Sequence, residues 1–145
     1  MSFNEGAEMG TFEGLTKFDK TTHNVKHNAG EVILIDFWAT WCPPCQKPMA
    51  HNQEMLVKNA ASWGSKVRII GISLDDSTET VDAHVQSKGW TAVEHYWDGP
   101  SGAANKWEIH GIPNCALVGK DGKITWRGHP GSVDLEAKIN EELGK

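Results

Sequence analysis

A chain of 145 residues with 39% hydrophobic and 23% charged side chains has the size and make-up of one globular domain with a real core. Its net charge of −5, with no run of Lys or Arg, gives nucleic acid and anionic membrane surfaces nothing to hold. No segment approaches the roughly 18 apolar residues that span a bilayer, and residues 1–9 lack the basic-then-apolar order of a secretory leader.

Those absences predict no membrane insertion and a cytoplasmic location. The three cysteines, Cys42, Cys45 and Cys115, form one close pair with one left over. A disulfide-stapled secreted domain would carry an even and larger number, so the pattern fits a reducing compartment and a redox pair. There are seven tryptophans, and most are expected to pack in the core.

Residues 1–10 are polar and Gly-bearing and are expected to fray, leaving one domain over residues 11–145. The run Val32-Ile33-Leu34-Ile35-Asp36-Phe37 suits a central strand buried on both faces, with one acid set inside it. Residues 43–62 read as a helix with Met49, Met55, Leu56, Ala60 and Trp63 as its apolar positions. Pro43 suits the first turn, and Pro48, further in, should kink the helix.

Residues 67–74 form a second buried strand. Asp76-Ser77-Thr78-Glu79 has capping-box spacing with Asp76 as cap, and its helix runs to about Lys88. A short strand over 93–97 and a short helix over 103–109 follow. Strands over 115–118 and 124–127 flank Lys120-Asp121-Gly122-Lys123, a hairpin turn. Ser132 then caps a last helix carrying Leu135, Ile139 and Leu143. This order predicts an α/β chain whose sheet is part parallel and part antiparallel.

Cys42-Pro43-Pro44-Cys45 starts a helix directly after a buried strand. The helix dipole and free N–H groups favour a thiolate at Cys42, which is the nucleophile in disulfide exchange. Cys45, about one turn on, is within reach to resolve a mixed disulfide. A zinc site would need two more ligands, and no second such pair exists. A c-type haem site would need His after Cys45, where Gln46 stands. Two inert buried cysteines are the bland alternative.

The segment Asp36-Phe37-Trp38-Ala39-Thr40-Trp41-Cys42-Pro43-Pro44-Cys45 resembles the active-site segment of the thioredoxin superfamily. Its Pro-Pro filling is most similar to the TlpA/ResA-type, tryparedoxin and nucleoredoxin branches. A second block, Trp107-Glu108-Ile109-His110-Gly111-Ile112-Pro113-Asn114, resembles the family segment that ends in Gly-Ile-Pro-Thr. Two departures stand out: the family's helix proline five residues after the second Cys is Ala50 here, with Pro48 nearby, and TlpA-type chains often carry Asn where this one has Asp36.

The resemblance implies a thioredoxin fold: a central mixed sheet flanked by helices, with a TlpA-type insertion over residues 77–104 between the βαβ and ββα halves. It implies a thiol–disulfide oxidoreductase in which Cys42 attacks, Cys45 resolves and buried Asp36 relays a proton for Cys45. An acid buried in an apolar run should have a raised pKa, which suits acid–base work near neutrality.

Trp38 would support the site and Trp41 offer an apolar docking surface. Pro113 would be a cis-proline facing Cys42, Ile112 would offer its backbone to an extended substrate segment, and Gly128 would border the groove. His110 and His129 are read as solvated loop residues, and Cys115 as a reduced core thiol. Pro43 and Pro44 each remove an N–H that could stabilise the Cys42 thiolate, so a reducing pair is expected.

The implied partners are a disulfide-containing protein substrate and an upstream disulfide reductase. The protein would act as a monomer, without metal or any cofactor beyond the Cys42–Cys45 pair. A tryparedoxin-like donor to a peroxidase and a metal-binding or copper-chaperone module are the competing readings, and a non-catalytic binding module is a third.

Overall fold

The structure, a computed structural model, describes residues 3–145. Its centre is β3 (Val32–Trp38), buried at every position. Such a strand must be covered on both faces, and its apolar run does so. Parallel to it lies β4 (Val67–Ser73), then β5 (Glu94–Trp97) parallel to β4. On the other side β6 (Asn114–Val118) runs antiparallel to β3, and β7 (Ile124–Gly128) antiparallel to β6. With β1 (Thr11–Thr16) and β2 (Thr22–Lys26) the sheet has seven strands in the order β2-β1-β5-β4-β3-β6-β7. This is the expected thioredoxin-like mixed sheet, and the segment between β4 and β6 adds α3 (Thr78–Lys88), β5 and α4 (Ala103–Lys106).

Alternation along β3 divides the core in two. Val32, Leu34 and Trp38 join one cluster, with Cys45, Met49 and Met55 of α1 (Pro43–Lys58) and Leu135 and Ile139 of α5 (Leu135–Leu143). Ile33, Ile35 and Phe37 join the other, with Phe12, Leu15 and Trp107. Each buried aliphatic or aromatic side chain contributes about 1.5–3 kcal/mol. Asp36 belongs by alternation to the α1 face.

Residues 3–10 do not fray. Gly6 N–H donates to the Ile124 carbonyl at 2.7 Å and Met9 N–H to the Gly122 carbonyl at 2.9 Å. Met9 is buried, and the Phe3 ring stacks on Trp107 at 4.6 Å between centroids. Edge pairing along the 120–124 turn holds a stretch whose composition suggested freedom; Met1 and Ser2 lie outside the described residues.

The β1–β2 hairpin is absent from the sequence expectation. A register shift between Phe12 and Leu15, with Gly14 at φ 71°, breaks the period-two alternation that marks a strand.

Other boundaries shift too. The first helix runs unbroken through Pro48 but ends at Lys58, and Asn59 turns the chain into a short α2 (Ala60–Trp63). Ser77, not Asp76, caps α3: its extended backbone lets Oγ accept from Thr80 N–H. Asp134, not Ser132, caps α5 by accepting from Ala137 N–H, while Ser132 Oγ donates to the His129 carbonyl in a 3-10 turn. The helix expected over 103–109 stops at Lys106.

Candidate active site

Cys42 is the N-cap of α1, with Pro43 and Pro44 in its first two helical positions. Two of the N–H groups that a helix start normally leaves free are therefore missing beside the sulfur. Cys42 and Cys45 are joined as a disulfide, S–S 2.23 Å and Cα–Cα 5.3 Å. Cys45 is fully buried and Cys42 is 4% exposed.

The turn before the pair is held from two sides, by residues the sequence reading did not single out. Buried Asp75, just past β4, accepts from Thr40 N–H at 3.0 Å, and from the hydroxyls of Thr40 and Ser73. From the helix side, Gln46 Nε2 donates to the carbonyls of Cys42 at 2.9 Å and Thr40 at 3.2 Å. Those acceptors orient the Gln46 amide, so its oxygen faces His84 Nε2 of α3 at 2.7 Å and His84 must be the donor. His84 is held below the usual histidine range, first by burial and then by Lys88.

Behind α1 lies Asp36, fully buried. In register it faces Cys115 of β6 on one side and Gly71 of β4 on the other. Burial pushes its carboxyl up to about 7, against the opposing pull of the Cys115 thiol and the Asn52 amide. Asn52 Nδ2 donates to Asp36 Oδ2 at 2.8 Å, and Asp36 Oδ1 has no hydrogen-bond partner among the described residues. Cys115 is free and fully buried, and burial beside Asp36 pushes its thiol up.

In front of the pair the surface is open. Trp41 is 65% exposed, whereas Trp38 is fully buried against Trp90 and the rings of His84 and His95. A cleft of about 510 Å³ is walled by Trp41, Cys42, Pro43, Leu74, Ile109 and Ile112. Ile112–Pro113 is cis, Pro113 is buried, and the Ile112 carbonyl oxygen lies 3.8 Å from Cys42 Sγ. Pro44 also edges a second cleft of about 580 Å³ that runs to His129 and Pro130. Gly128 lines neither cleft; it ends β7 opposite Cys115.

Thus Trp41, Pro43, Pro44 and Ile112 line one cleft with Cys42, Cys45 is buried behind it, Pro113 follows Ile112 in the chain, and Asp36 and Trp38 lie on buried β3. Asn52 was legible in principle: it falls in step with Cys45, Met49 and Met55, and a polar residue on a buried stripe needs a partner.

The thioredoxin-like family model matches residues 30–124. The thiol:disulfide interchange protein DsbE of Allochromatium vinosum is 29% identical over 112 residues, 77% of this chain and 58% of its own. The thiol-disulfide oxidoreductase ResA of Oceanobacillus iheyensis is 28% identical over 108 residues, 73% of this chain and 53% of its own. The chain thus spans little more than half the length of these curated relatives. The thioredoxin domain of a thiol-disulfide oxidoreductase from Bacteroides vulgatus shares the fold, with a TM-score of 0.79 and 21% identity over 98% of this chain and 99% of that one. A model match over well more than half the chain, with the same architecture and a disulfide at the start of α1, makes this chain a member of the thioredoxin-like family.

Proposed function

We propose that the chain is a thiol–disulfide oxidoreductase that reduces protein disulfides by dithiol exchange. The observation that carries this is the Cys42–Cys45 disulfide at a helix start, opening onto an apolar cleft. In the reduced protein the Cys42 thiolate attacks a substrate disulfide. One substrate sulfur leaves as a thiolate, and the other stays bonded to Cys42. Cys45 gives up its proton, attacks Cys42 Sγ and re-forms the internal disulfide, releasing the second substrate thiolate. Two electrons pass to the substrate, and an upstream dithiol reductase restores them.

Asp36 is the proposed acceptor of the Cys45 proton. A group that titrates near 7 inside the core can both take and return a proton at neutral pH. Trp41 and Ile112 form the proposed docking edge, with an extended substrate segment laid along the Ile112 backbone. Pro113 closes the site without offering an N–H. No cofactor is needed beyond the pair. The competing metal-binding reading is tested by the metal content of the purified, reduced protein.

No helix among the described residues is long and apolar enough to cross a membrane. The proposed setting is a monomer in the cytoplasm, where an upstream dithiol reductase keeps the pair reduced. A redox titration of the pair, alongside insulin reduction, tests the direction of electron flow. A potential near about −270 mV, the thioredoxin value, is expected; one near about −120 mV, typical of a dedicated oxidant, overturns it.

A further inference from the structure

The face of α1 that descends from Cys45 into the core carries one polar side chain. Its buried positions are Cys45, Met49, Asn52 and Met55, and Asn52 is 1% exposed. An amide in that place needs a partner. Its Nδ2 faces Asp36 Oδ2 at 2.8 Å and Met49 Sδ at 3.8 Å, two acceptors for its two protons. In this orientation a donor meets the carboxyl, and the amide oxygen, Asn52 Oδ1, is buried without a hydrogen-bond partner among the described residues.

Asp36 therefore has two unlike oxygens. Oδ2 is tied to α1, and Oδ1 is buried with no hydrogen-bond partner among the described residues. We propose that Asn52 is a positioning residue for proton transfer: it pins Asp36 through Oδ2, steadies the carboxylate form inside the core, and leaves Oδ1 as the atom that carries the exchanged proton. This rests on the reading of Asp36 as the proton acceptor for Cys45.

The step balances as follows. Cys45 Sγ–H gives its proton to Asp36 Oδ1. The resulting thiolate bonds Cys42 Sγ while the bond from Cys42 to the substrate sulfur breaks, and that sulfur leaves with the electron pair. When an external dithiol reduces the pair again, Oδ1 returns the proton to Cys45.

The surroundings leave this work to few groups. From α1, Asn52 donates to Asp36 and Cys45 lies on the same buried stripe, and β6 adds the Cys115 thiol at the register position opposite Asp36. From β4 the register partner is Gly71, which has no side chain. Beyond it His95 of β5 approaches Gly71; burial holds its ring down to about 4, so it is neutral at pH 7. Burial alone raises the Asp36 carboxyl, and only the Cys115 thiol and the Asn52 amide act against it. A side chain that merely filled space would have no such effect.

The test is Asn52→Leu, similar in shape and without donors, with Asn52→Ala as the alternative if the first fails to fold. Asp36 is followed by carboxyl NMR in the reduced protein, and the resolution step by single-turnover kinetics against pH. In the variant the Asp36 midpoint should rise by about one pH unit, tenfold in proton affinity. The acid limb of the rate profile should move with it, and resolution at pH 7 should slow up to tenfold. In an Asp36→Asn background, Asn52→Leu should no longer change the profile. An unmoved Asp36 midpoint in a folded Asn52 variant overturns the inference. A wild-type profile in Asp36→Asn alone overturns instead the reading of Asp36, and the proton role of Asn52 with it.

Discussion

Trp38 and Trp41 stand three residues apart on one segment, yet one is fully buried and the other 65% exposed. They mark two regions that meet at the disulfide. Below it, Trp38, Asp36, Asn52 and Cys115 lie in a dry floor where every charge is costly. Above it, Trp41, Pro43, Pro44 and Ile112 form a rim that water and other chains can reach. The floor can hold a proton whose affinity is set by burial, and the rim can hold a partner whose identity is set by shape. Cys42 faces the rim and Cys45 the floor, so attack and resolution meet different environments. The division teaches that changes below the sulfurs should alter pH dependence and stability, and changes above them should alter substrate preference.

The severest break is at the meeting point. Cys42→Ser should lower insulin reduction by about a thousandfold or more, because Cys45 and Cys115 are both fully buried and only Cys42 borders the cleft. Cys45→Ser should instead accumulate a one-to-one mixed disulfide with substrate, seen by mass spectrometry.

Asp36→Asn probes the floor in two ways. Removing a proton acceptor should slow resolution by about 10²-fold at neutral pH in single-turnover kinetics. Its effect on stability runs the other way. Asp36 is pushed up to about 7 in the folded protein from an ordinary 3.8, so the folded state holds an extra proton between those values. Its share of stability is therefore intact below about pH 4 and is lost as pH rises through 7. The oxidised Asn variant should be more stable than the parent at pH 8 by a few kcal/mol, and this advantage should vanish near pH 4. Thermal melts at the two values decide it; an equal gain at both would mean that the carboxyl does not titrate between them.

The tryptophans sharpen the contrast. Trp38→Ala should cost about 3–5 kcal/mol of stability in denaturant titration, as for any large core truncation. Trp41→Ala should change stability by less than about 0.5 kcal/mol. It should raise KM for a protein disulfide severalfold while leaving the rate with a small aromatic disulfide unchanged. Equal losses with both substrates would remove Trp41 from the docking edge.

Much of this division is written in the chain. The apolar run around Asp36 announces a buried acid, and Cys42-Pro43-Pro44-Cys45 announces a helix start with two donors removed. Both are local patterns that a strand or a helix end reads directly. Other features depend on distant partners. Asp75 lies 35 positions from Thr40, and His84 lies 38 from Gln46, so nothing near either residue reveals the contact. The hairpin of β1 and β2 was hidden by its own bulge at Gly14, and the order of residues 3–10 by strand partners beyond position 120. Helix caps moved by one or two positions because several Ser and Asp side chains compete for each, and backbone angles choose among them.

The grip on Thr40 has a consequence for engineering. Asp75 and His84 belong to the stretch that begins at the end of β4 and runs on through α3, and between them they hold the 39–42 turn from both sides. A shortened chain in which that stretch is trimmed away would have to find a new acceptor for the Thr40 N–H and a new donor for the Gln46 oxygen. Without them the nucleophile would ride on a loose hinge. The added segment is thus a splint for the sulfur, and transplanting the cysteine motif without its splint would move the letters but leave the rigidity behind.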